Sequence, residues 1–517
     1  LTAGLALSTA SCSLIVDTRT SQCNTNADCA KLTEPGQVAV CRPDQHMCVS
    51  LTSEDCKKIY NPAFPDDPLG GEVRDDAIIF GSVMPTSGQD DSAGLPQQDA
   101  LELAFEEIQQ SANGIPVPGG KSRPVVLVEC DDKGDASNAP ALRAAQHLVD
   151  NVRVPAILGG AFSSTTGEIA ARVTVGAGTL LFSPTATSVE LTSLNDNNLF
   201  WRTVPPDSFQ GQALALYVPY VLTQKMVDPA AIRVAVLARN DSYGEGIAKE
   251  FERDLKIDDV LLASDTKRYV RRSYDSEVPS TDPRYKAIID AAITPLPQVI
   301  LICGFSEGVE YMAAVEDRLA ANGVPEAQRP VYIYSDGGNV NNLWDYEKMT
   351  TELRKRITGT VPGSSTTSDP VFTSFRLAFE GDPKYKGQDP TSFGVAGSFD
   401  IGLLFAYTSA AVLSKGAALT GAAIAEQLKL VSDKKAPRVG ANDPITGGFQ
   451  ATIKGPIDFV GASGPLDFNQ YGDALTDIQI WCLPAGMKQP AGAAVSSGLF
   501  LNSVTNKLDG AIGTHCN

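Results

Sequence analysis

Two short stretches of the chain concentrate hydroxyl groups: Gly159-Gly160-Ala161-Phe162-Ser163-Ser164-Thr165-Thr166 and Phe182-Ser183-Pro184-Thr185-Ala186-Thr187-Ser188. Serine and threonine hydroxyls beside free backbone N–H groups at a helix start suit a carboxylate. Each cluster follows an apolar run. Val154-Pro155-Ala156-Ile157-Leu158 and Gly178-Thr179-Leu180-Leu181-Phe182 are short and bounded by glycine or proline, so both read as buried strands, and Gly167 to Val175 has helical spacing. The hydroxyls therefore fall where strands end, which is where open α/β sheets bind ligands. Taken singly, either cluster is more often an ordinary cap or turn than a site.

The surrounding chain repeats strand, helix, strand. Ala77 to Met84, Val125 to Val128, Arg233 to Ala238, Val299 to Cys303 and Pro330 to Tyr334 read as strands. Asp99 to Gln110, Ala139 to Asn151, Ile247 to Leu255, Tyr285 to Ile293 and Val309 to Ala321 read as helices. Alternation of this kind predicts parallel sheets covered by helices on both faces.

Three other constellations suggest chemistry. Gly304-Phe305-Ser306-Glu307-Gly308 has the Gly-x-Ser-x-Gly form after a strand and before a helix, the context of a nucleophile elbow. A serine hydrolase would need a histidine downstream, and the candidate is His515, beside Cys516 near the end of the sequence. Gly119-Gly120-Lys121-Ser122 lacks the first glycine of a phosphate loop, since Ile115 stands there, and it precedes a strand. Asp131, Asp132 and Asp135 lack the twelfth-position Glu of a calcium loop and read as turn formers. With His46, His147 and His515 as its imidazoles, the chain is poor in general bases and metal ligands, and neither a metal nor a cofactor is expected.

Order adds what single motifs lack. Val125-Val126-Leu127-Val128-Glu129-Cys130-Asp131-Asp132, Asp135, a helix and then the two hydroxyl clusters resemble the type I periplasmic solute-binding proteins, closest to the leucine/isoleucine/valine-binding branch of ABC transporter substrate-binding proteins. Trp201-Arg202-Thr203 resembles that family's first crossover strand, Asp241-Ser242-Tyr243-Gly244-Glu245-Gly246 its second-lobe entry turn, and Ser335-Asp336-Gly337 its acidic anchor. Gly455-Pro456-Ile457-Asp458-Phe459 through Gly464-Pro465-Leu466-Asp467-Phe468 resembles its terminal hairpin. The likeness runs from about residue 75 to 485.

The resemblance implies a two-lobed α/β clamshell, each lobe a mostly parallel sheet with helices on both faces, with crossovers near 203–207, 358–363 and 450–456. It implies that Ser163 and Thr187 hold an α-carboxylate through hydroxyl and N–H groups, and that the Thr185 carbonyl and Thr187 hydroxyl meet an α-ammonium. Asp336 would pair with the ammonium from the other lobe; the family more often has Glu there. Phe305 would cover the ligand, Tyr243 would form a second wall, and the loop Ser87 to Ser92 would contribute. The implied function is capture of an amino acid, branched-chain or analogous, for an ABC permease in the inner membrane. A ligand-sensing receptor on the same scaffold is the alternative.

The balance of 42 basic against 61 acidic residues, net −19, argues against nucleic-acid or anionic-membrane surfaces. No continuous apolar run reads as a membrane span. Leu1 to Leu7 resembles the end of a signal-peptide apolar region, and Thr9-Ala10-Ser11-Cys12 a lipoprotein cleavage box, which implies a diacylglyceryl group on Cys12 as the sole membrane contact and an envelope location; a disulfide at Cys12 is the alternative. Cys23, Cys29, Cys41, Cys48 and Cys56 lie in a polar segment that cannot bury a core unaided, so disulfides in an oxidising compartment are expected. Cys482 and Cys516 would close a C-terminal extension, while Cys130 and Cys303 read as buried thiols. The expected organisation is 1–11 leader, 12–56 lipid-anchor and cysteine module acting as a spacer, 57–74 linker, 75–204 with 361–452 as lobe I, 205–360 with 453–485 as lobe II, and 486–517 as the extension. The Lys256 to Asp282 insertion has no assigned role.

Overall fold

The apolar runs do become strands buried on both faces, as their lack of alternation requires. The computed structural model describes residues 21–33, 35–88, 90–228, 231–344, 346–363, 369–484 and 494–516. Numbering only the strands of the two large sheets, β1 (Lys58–Tyr60), β2 (Ile78–Met84), β3 (Val125–Asp131), β4 (Ala156–Gly159), β5 (Leu180–Ser183) and β6 (Phe200–Arg202) form the first-lobe sheet. Their order is β6-β5-β4-β2-β3-β1, parallel except at the β1 edge. The second sheet contains β7 (Val234–Arg239), β8 (Tyr269–Tyr274), β9 (Val299–Cys303), β10 (Val331–Tyr334), β11 (Ile357–Pro362), β12 (Ile478–Cys482), β13 (Val495–Asn502) and β14 (Lys507–Gly510). It runs β8-β7-β9-β10-β11-β12-β13-β14, parallel through β11 and antiparallel beyond.

Successive side chains point to opposite faces of a strand, and the second lobe shows the consequence. Val234, Val236 and Ala238 enter one core, while Ala235 and Leu237 enter the other. The helices that carry or support the site are α1 (Asp91–Ala112), α2 (Ser163–Ile169), α3 (Asp207–Gln224), α4 (Gly244–Asp254), α5 (Glu307–Ala321) and α6 (Val395–Ser414). Among the described residues α6 is the one helix long and apolar enough to cross a membrane, which the sequence reading overlooked; its apolar window is wholly buried. It packs against α1, where Gly402 meets Ala104 and Leu101 and a Cβ would clash.

Several expected boundaries change. The third crossover is not at 450–456: Ile457, Phe459, Ala462, Leu466 and Ala474 all lie in the first-lobe core, and the chain crosses between Ala474 and Ile478. These residues stay because their apolar side chains complete the surface around α6. The 57–74 segment is no free linker, since β1 pairs with β3 in the first-lobe sheet. The cysteine module is no spacer either. Its bridges are Cys23–Cys41 and Cys29–Cys48, and Val40 and Leu51 enter the first-lobe core. Cys130 is not a thiol but is bonded to Cys56, while Cys303 is a buried free cysteine. His147 holds the module by a 3.0 Å contact with the Leu51 carbonyl. Cys482–Cys516 forms as expected, yet the C-terminal segment is no appendage, because β13 and β14 continue the second sheet. The Lys256 to Asp282 insertion supplies the edge strand β8. Cys12 lies outside the described residues.

Candidate functional site

Every predicted ligand-binding residue follows the C-terminal end of a strand. Ser163 follows β4 and Thr185 and Thr187 follow β5 in the first lobe; Tyr243 follows β7, Phe305 follows β9 and Asp336 follows β10 in the second. Parallel strands end together, so short loops after them converge on one cleft.

The first-lobe half is a rigid loop pair. Ser163 Oγ accepts from the backbone N–H groups of Thr187 (3.2 Å) and Ser188 (3.1 Å), so these N–H groups brace the loop where a ligand contact was expected of Thr187. The Thr185 hydroxyl donates to the Ala161 carbonyl at 2.7 Å. Gly394 is needed beside it: its φ is +83°, and a Cβ there would fall 2.0 Å from Thr185 Cγ2. Beneath the loop, the fully buried Arg202 guanidinium donates to the Ala186 and Ser188 carbonyls, both at 2.9 Å, and pairs with Asp473 at 2.7 Å. Thr187 Oγ1 is buried without a well-formed hydrogen bond and faces the Asp207 carboxylate.

Opposite it, Tyr243 donates its hydroxyl hydrogen bond to Asp336 Oδ1, and its oxygen accepts from the Gly337 N–H at 2.8 Å. The Asp336 N–H donates to Gln210 Oε1 at 2.8 Å. Tyr243 is thus a positioning partner of Asp336 as well as a wall; its ring stacks on Phe305 with centroids 4.4 Å apart. Asp336 Oδ2, Gln210 Nε2 and both carboxylate oxygens of Asp207 are buried without a well-formed hydrogen bond, the Gln210 amide facing Asp336 and the Thr187 hydroxyl facing Asp207. Burial pushes the Asp336 carboxyl up to about 6, and burial followed by the charge of Asp336 holds Asp207 well above the usual carboxylate range.

Asp207 and Gln210 were missed by sequence reading. Asp207 is the first residue of α3, directly after Pro206, and its N–H donates to the Thr187 carbonyl at 2.8 Å. An aspartate at a helix start is so ordinary a cap that its type alone gives no signal.

Nearer the cleft mouth, Phe162 of the first lobe packs edge-on to Phe305 at 4.6 Å. The Arg239 guanidinium lies 4.9 Å from the Phe305 ring centroid and 5.5 Å from that of Phe162. Ser306 Oγ donates to Asp90 Oδ1 across the lobes at 2.7 Å, which brings the expected Ser87 to Ser92 loop into the site through Asp90. The hydrolase geometry is not assembled: Ser306 faces a carboxylate, and His515 contacts the Ser496 carbonyl at 2.9 Å beside the Cys482–Cys516 bridge.

Residues 77–271 match the periplasmic binding protein family. At the structural level, the branched-chain amino acid transporter substrate-binding protein LivJ of Streptococcus pneumoniae, solved with isoleucine, superposes with a TM-score of 0.58 at 20% identity, covering 81% of this chain and 99% of that one. The fold is that of a type I periplasmic binding protein. A leucine-binding protein LivK from Thermotoga maritima gives a TM-score of 0.59 at 18% identity over 84% of this chain and 99% of its own. By sequence, a Leu/Ile/Val-binding protein of Citrobacter freundii is 31% identical over 153 residues, 29% of this chain and 38% of that protein. A leucine-specific-binding protein of Salmonella typhimurium is 32% identical over 156 residues, 30% of this chain and 39% of its own length. The chain's sequence match thus spans about two-fifths of these curated relatives.

Proposed function

We propose that this protein is an extracytoplasmic solute-binding protein that captures an amino acid in the cleft between its lobes and delivers it, without chemical change, to an ABC permease in the inner membrane. A diacylglyceryl group on Cys12 would hold it at the membrane. The observation that carries the reading is the set of buried polar atoms in the cleft that make no well-formed hydrogen bond and face mainly one another: Thr187 Oγ1 from one lobe, Asp207 Oδ1 and Oδ2, Gln210 Nε2 and Asp336 Oδ2 from the other. Buried polar groups are ordinarily paired. Two adjacent carboxylates with raised pKa values are stabilised by one shared cation, and an α-ammonium is such a cation. Ser163 still has its hydroxyl hydrogen to give, and with Thr187 Oγ1 it would receive the α-carboxylate. The family and neighbours named above support transport as the context.

A ligand touching both lobes binds the closed form better and shifts the population toward it. A thermal-shift screen of the twenty amino acids, short amides and urea, followed by calorimetry on Ser163→Ala, Thr187→Val, Asp207→Asn and Asp336→Asn, tests the site. Loss of one charge-assisted hydrogen bond costs about 1.5–3 kcal/mol, so each carboxylate variant should weaken binding by roughly 10- to 150-fold. Binding by none of these compounds, or unchanged affinity in all four variants, overturns the reading. Anchoring is tested separately: Cys12→Ser should release soluble protein that still binds ligand, and an intact mass lacking lipid on Cys12 would refute the anchor.

A further inference from the structure

A glutamine amide accepts at one end and donates at the other, and a buried one is ordinarily met at both. Gln210, in the first turn of α3, is 1% exposed. Its Oε1 accepts from the Asp336 N–H at 2.8 Å and from the Thr360 hydroxyl at 2.9 Å. A backbone N–H can only donate, so this contact fixes which way the amide points, and Nε2 is left facing the Asp336 carboxylate. One side chain thus holds Asp336 by its main chain and by its charge.

The same amide ties Asp336 to the frame. Tyr217 stands two helical turns beyond Gln210, and its hydroxyl meets that of Thr358 at 3.1 Å. Gln210 and Tyr217 share a face of α3 and Thr358 and Thr360 share a face of β11, so the helix is clamped at two points to the strand that leads back to the first lobe.

Charge is the second part of the role. The titratable groups that face Asp336 are Asp207 of α3, Tyr243 after β7 and Cys303 of β9, and none of these brings a positive charge. Arg202 reaches Asp207 and is committed to Asp473. Burial disfavours an ionised carboxylate, and hydrogen-bond donors favour it. The Tyr243 hydroxyl and the Gly337 N–H, the latter at 2.9 Å, converge on Oδ1. The Gln210 amide faces the carboxylate without closing a well-formed hydrogen bond, so it supports the charge while Oδ2 keeps a lone pair for an ammonium.

We infer that Gln210 is the positioning residue of the ammonium site, holding Asp336 ionised and in place and making amino-acid capture depend on pH. This rests on the amino-acid-binding reading proposed above and assigns what governs the charge of its acidic anchor. Capture holds at neutral pH and weakens on acidification, as Asp336 takes up its proton.

Gln210→Met keeps the length of the side chain and removes both ends of the amide. The first readout needs no amino acid. In chemical denaturation of the full chain at pH 5 and pH 8, the stability lost in Gln210→Met should be larger at pH 8, where Asp336 must ionise, and the same at both pH values when Asp336→Asn is also present. A loss independent of pH while Asp336 is intact is packing alone and overturns the inference. If Gln210→Met does not fold, Thr360→Val, which frees the amide from β11, should show the same pattern at smaller size, and a pH-independent loss there overturns the inference equally. The second readout is calorimetry with each of the twenty amino acids. A carboxyl that titrates about one pH unit above the assay is ionised in about one molecule in ten, so an amino acid bound by the wild type should bind Gln210→Met roughly tenfold more weakly at pH 7, with most of that loss recovered at pH 8.5. An equal loss at both pH values overturns the role in capture. If the wild type binds no amino acid, the proposed function has failed, and the denaturation result still decides whether Gln210 governs Asp336.

Discussion

Arg202 and Asp473 allow a quantitative test of what holds the Ser183 to Ser188 loop. Both side chains are 0% exposed, and Arg202 Nε pairs with Asp473 at 2.7 Å while its Nη1 serves the Ala186 and Ser188 carbonyls. Asp473 also accepts from Asn469 Nδ2 at 3.0 Å and from Thr192 Oγ1 at 3.1 Å. Arg202→Met leaves a buried carboxylate without its cation, which costs about 3–5 kcal/mol. The two stranded carbonyls add about 1 kcal/mol or more each. The total, roughly 5–7 kcal/mol, is comparable with the stability of many whole domains. Asp473→Asn strands the guanidinium and should cost about 3–5 kcal/mol. The double variant has no orphaned charge, so its loss should fall short of the sum of the single losses by about 2 kcal/mol or more. Urea unfolding of the four proteins gives this coupling energy directly. Independent sites add to within about 0.5 kcal/mol, so additivity at that level, or single losses below about 1 kcal/mol, would refute the argument. Ligand affinity gives a second readout, since Thr187 stands on the loop these residues hold.

Three further outcomes follow from particular groups. The Asp336 carboxyl is raised to about 6 and those of Asp132 and Asp400 to about 7, all by burial, against an ordinary 3.8. The native protein therefore binds protons that the unfolded chain has released, and the stability of the unliganded protein should fall as pH rises from 3.8 through about 7. Lowered groups such as Asp55 and Glu316 act oppositely, losing their contribution as pH falls through the acid range, so a melting temperature higher at pH 8 than at pH 5.5 would contradict the assignment. Replacing Cys56 and Cys130 by serine opens a loop of 74 residues and should destabilise the first lobe by about 4 kcal/mol, measurable by denaturation; equal stability with and without the bridge would count against it. Ser306→Ala removes the hydrogen bond to Asp90 across the lobes, worth about 1 kcal/mol. Small-angle scattering should then show a larger mean radius with ligand chemistry unaltered, and hydrolytic activity that vanished in this variant would contradict the binding reading.

The sequence by itself determined the local elements and the identity of the clustered hydroxyls. Runs such as Val299 to Cys303 have no polar face to expose, so they can only be buried strands, and the residues after them can only be loops. The order of those elements carried the resemblance, and the resemblance implied the two-lobed fold and placed Ser163, Thr187, Tyr243, Phe305 and Asp336 in one candidate cleft. What depended on packing was not legible. Gly455 to Phe468 has the same apolar pattern whichever lobe receives it, and only the surface left open around α6 assigns it to the first. Cys130 has the sequence surroundings of a buried thiol, and the arrival of Cys56 on the β1 edge makes it a disulfide. Asp207 has the sequence of a helix cap; its carboxylate meets Thr187 and Asp336 because the chain crosses between lobes immediately before it. Phe162 reads as one apolar residue among hydroxyls, and closure of the lobes sets it against Phe305 and Arg239. Backbone preference acts over a few residues and is written in their order, whereas desolvation and charge balance are properties of whatever neighbours the folded chain brings together.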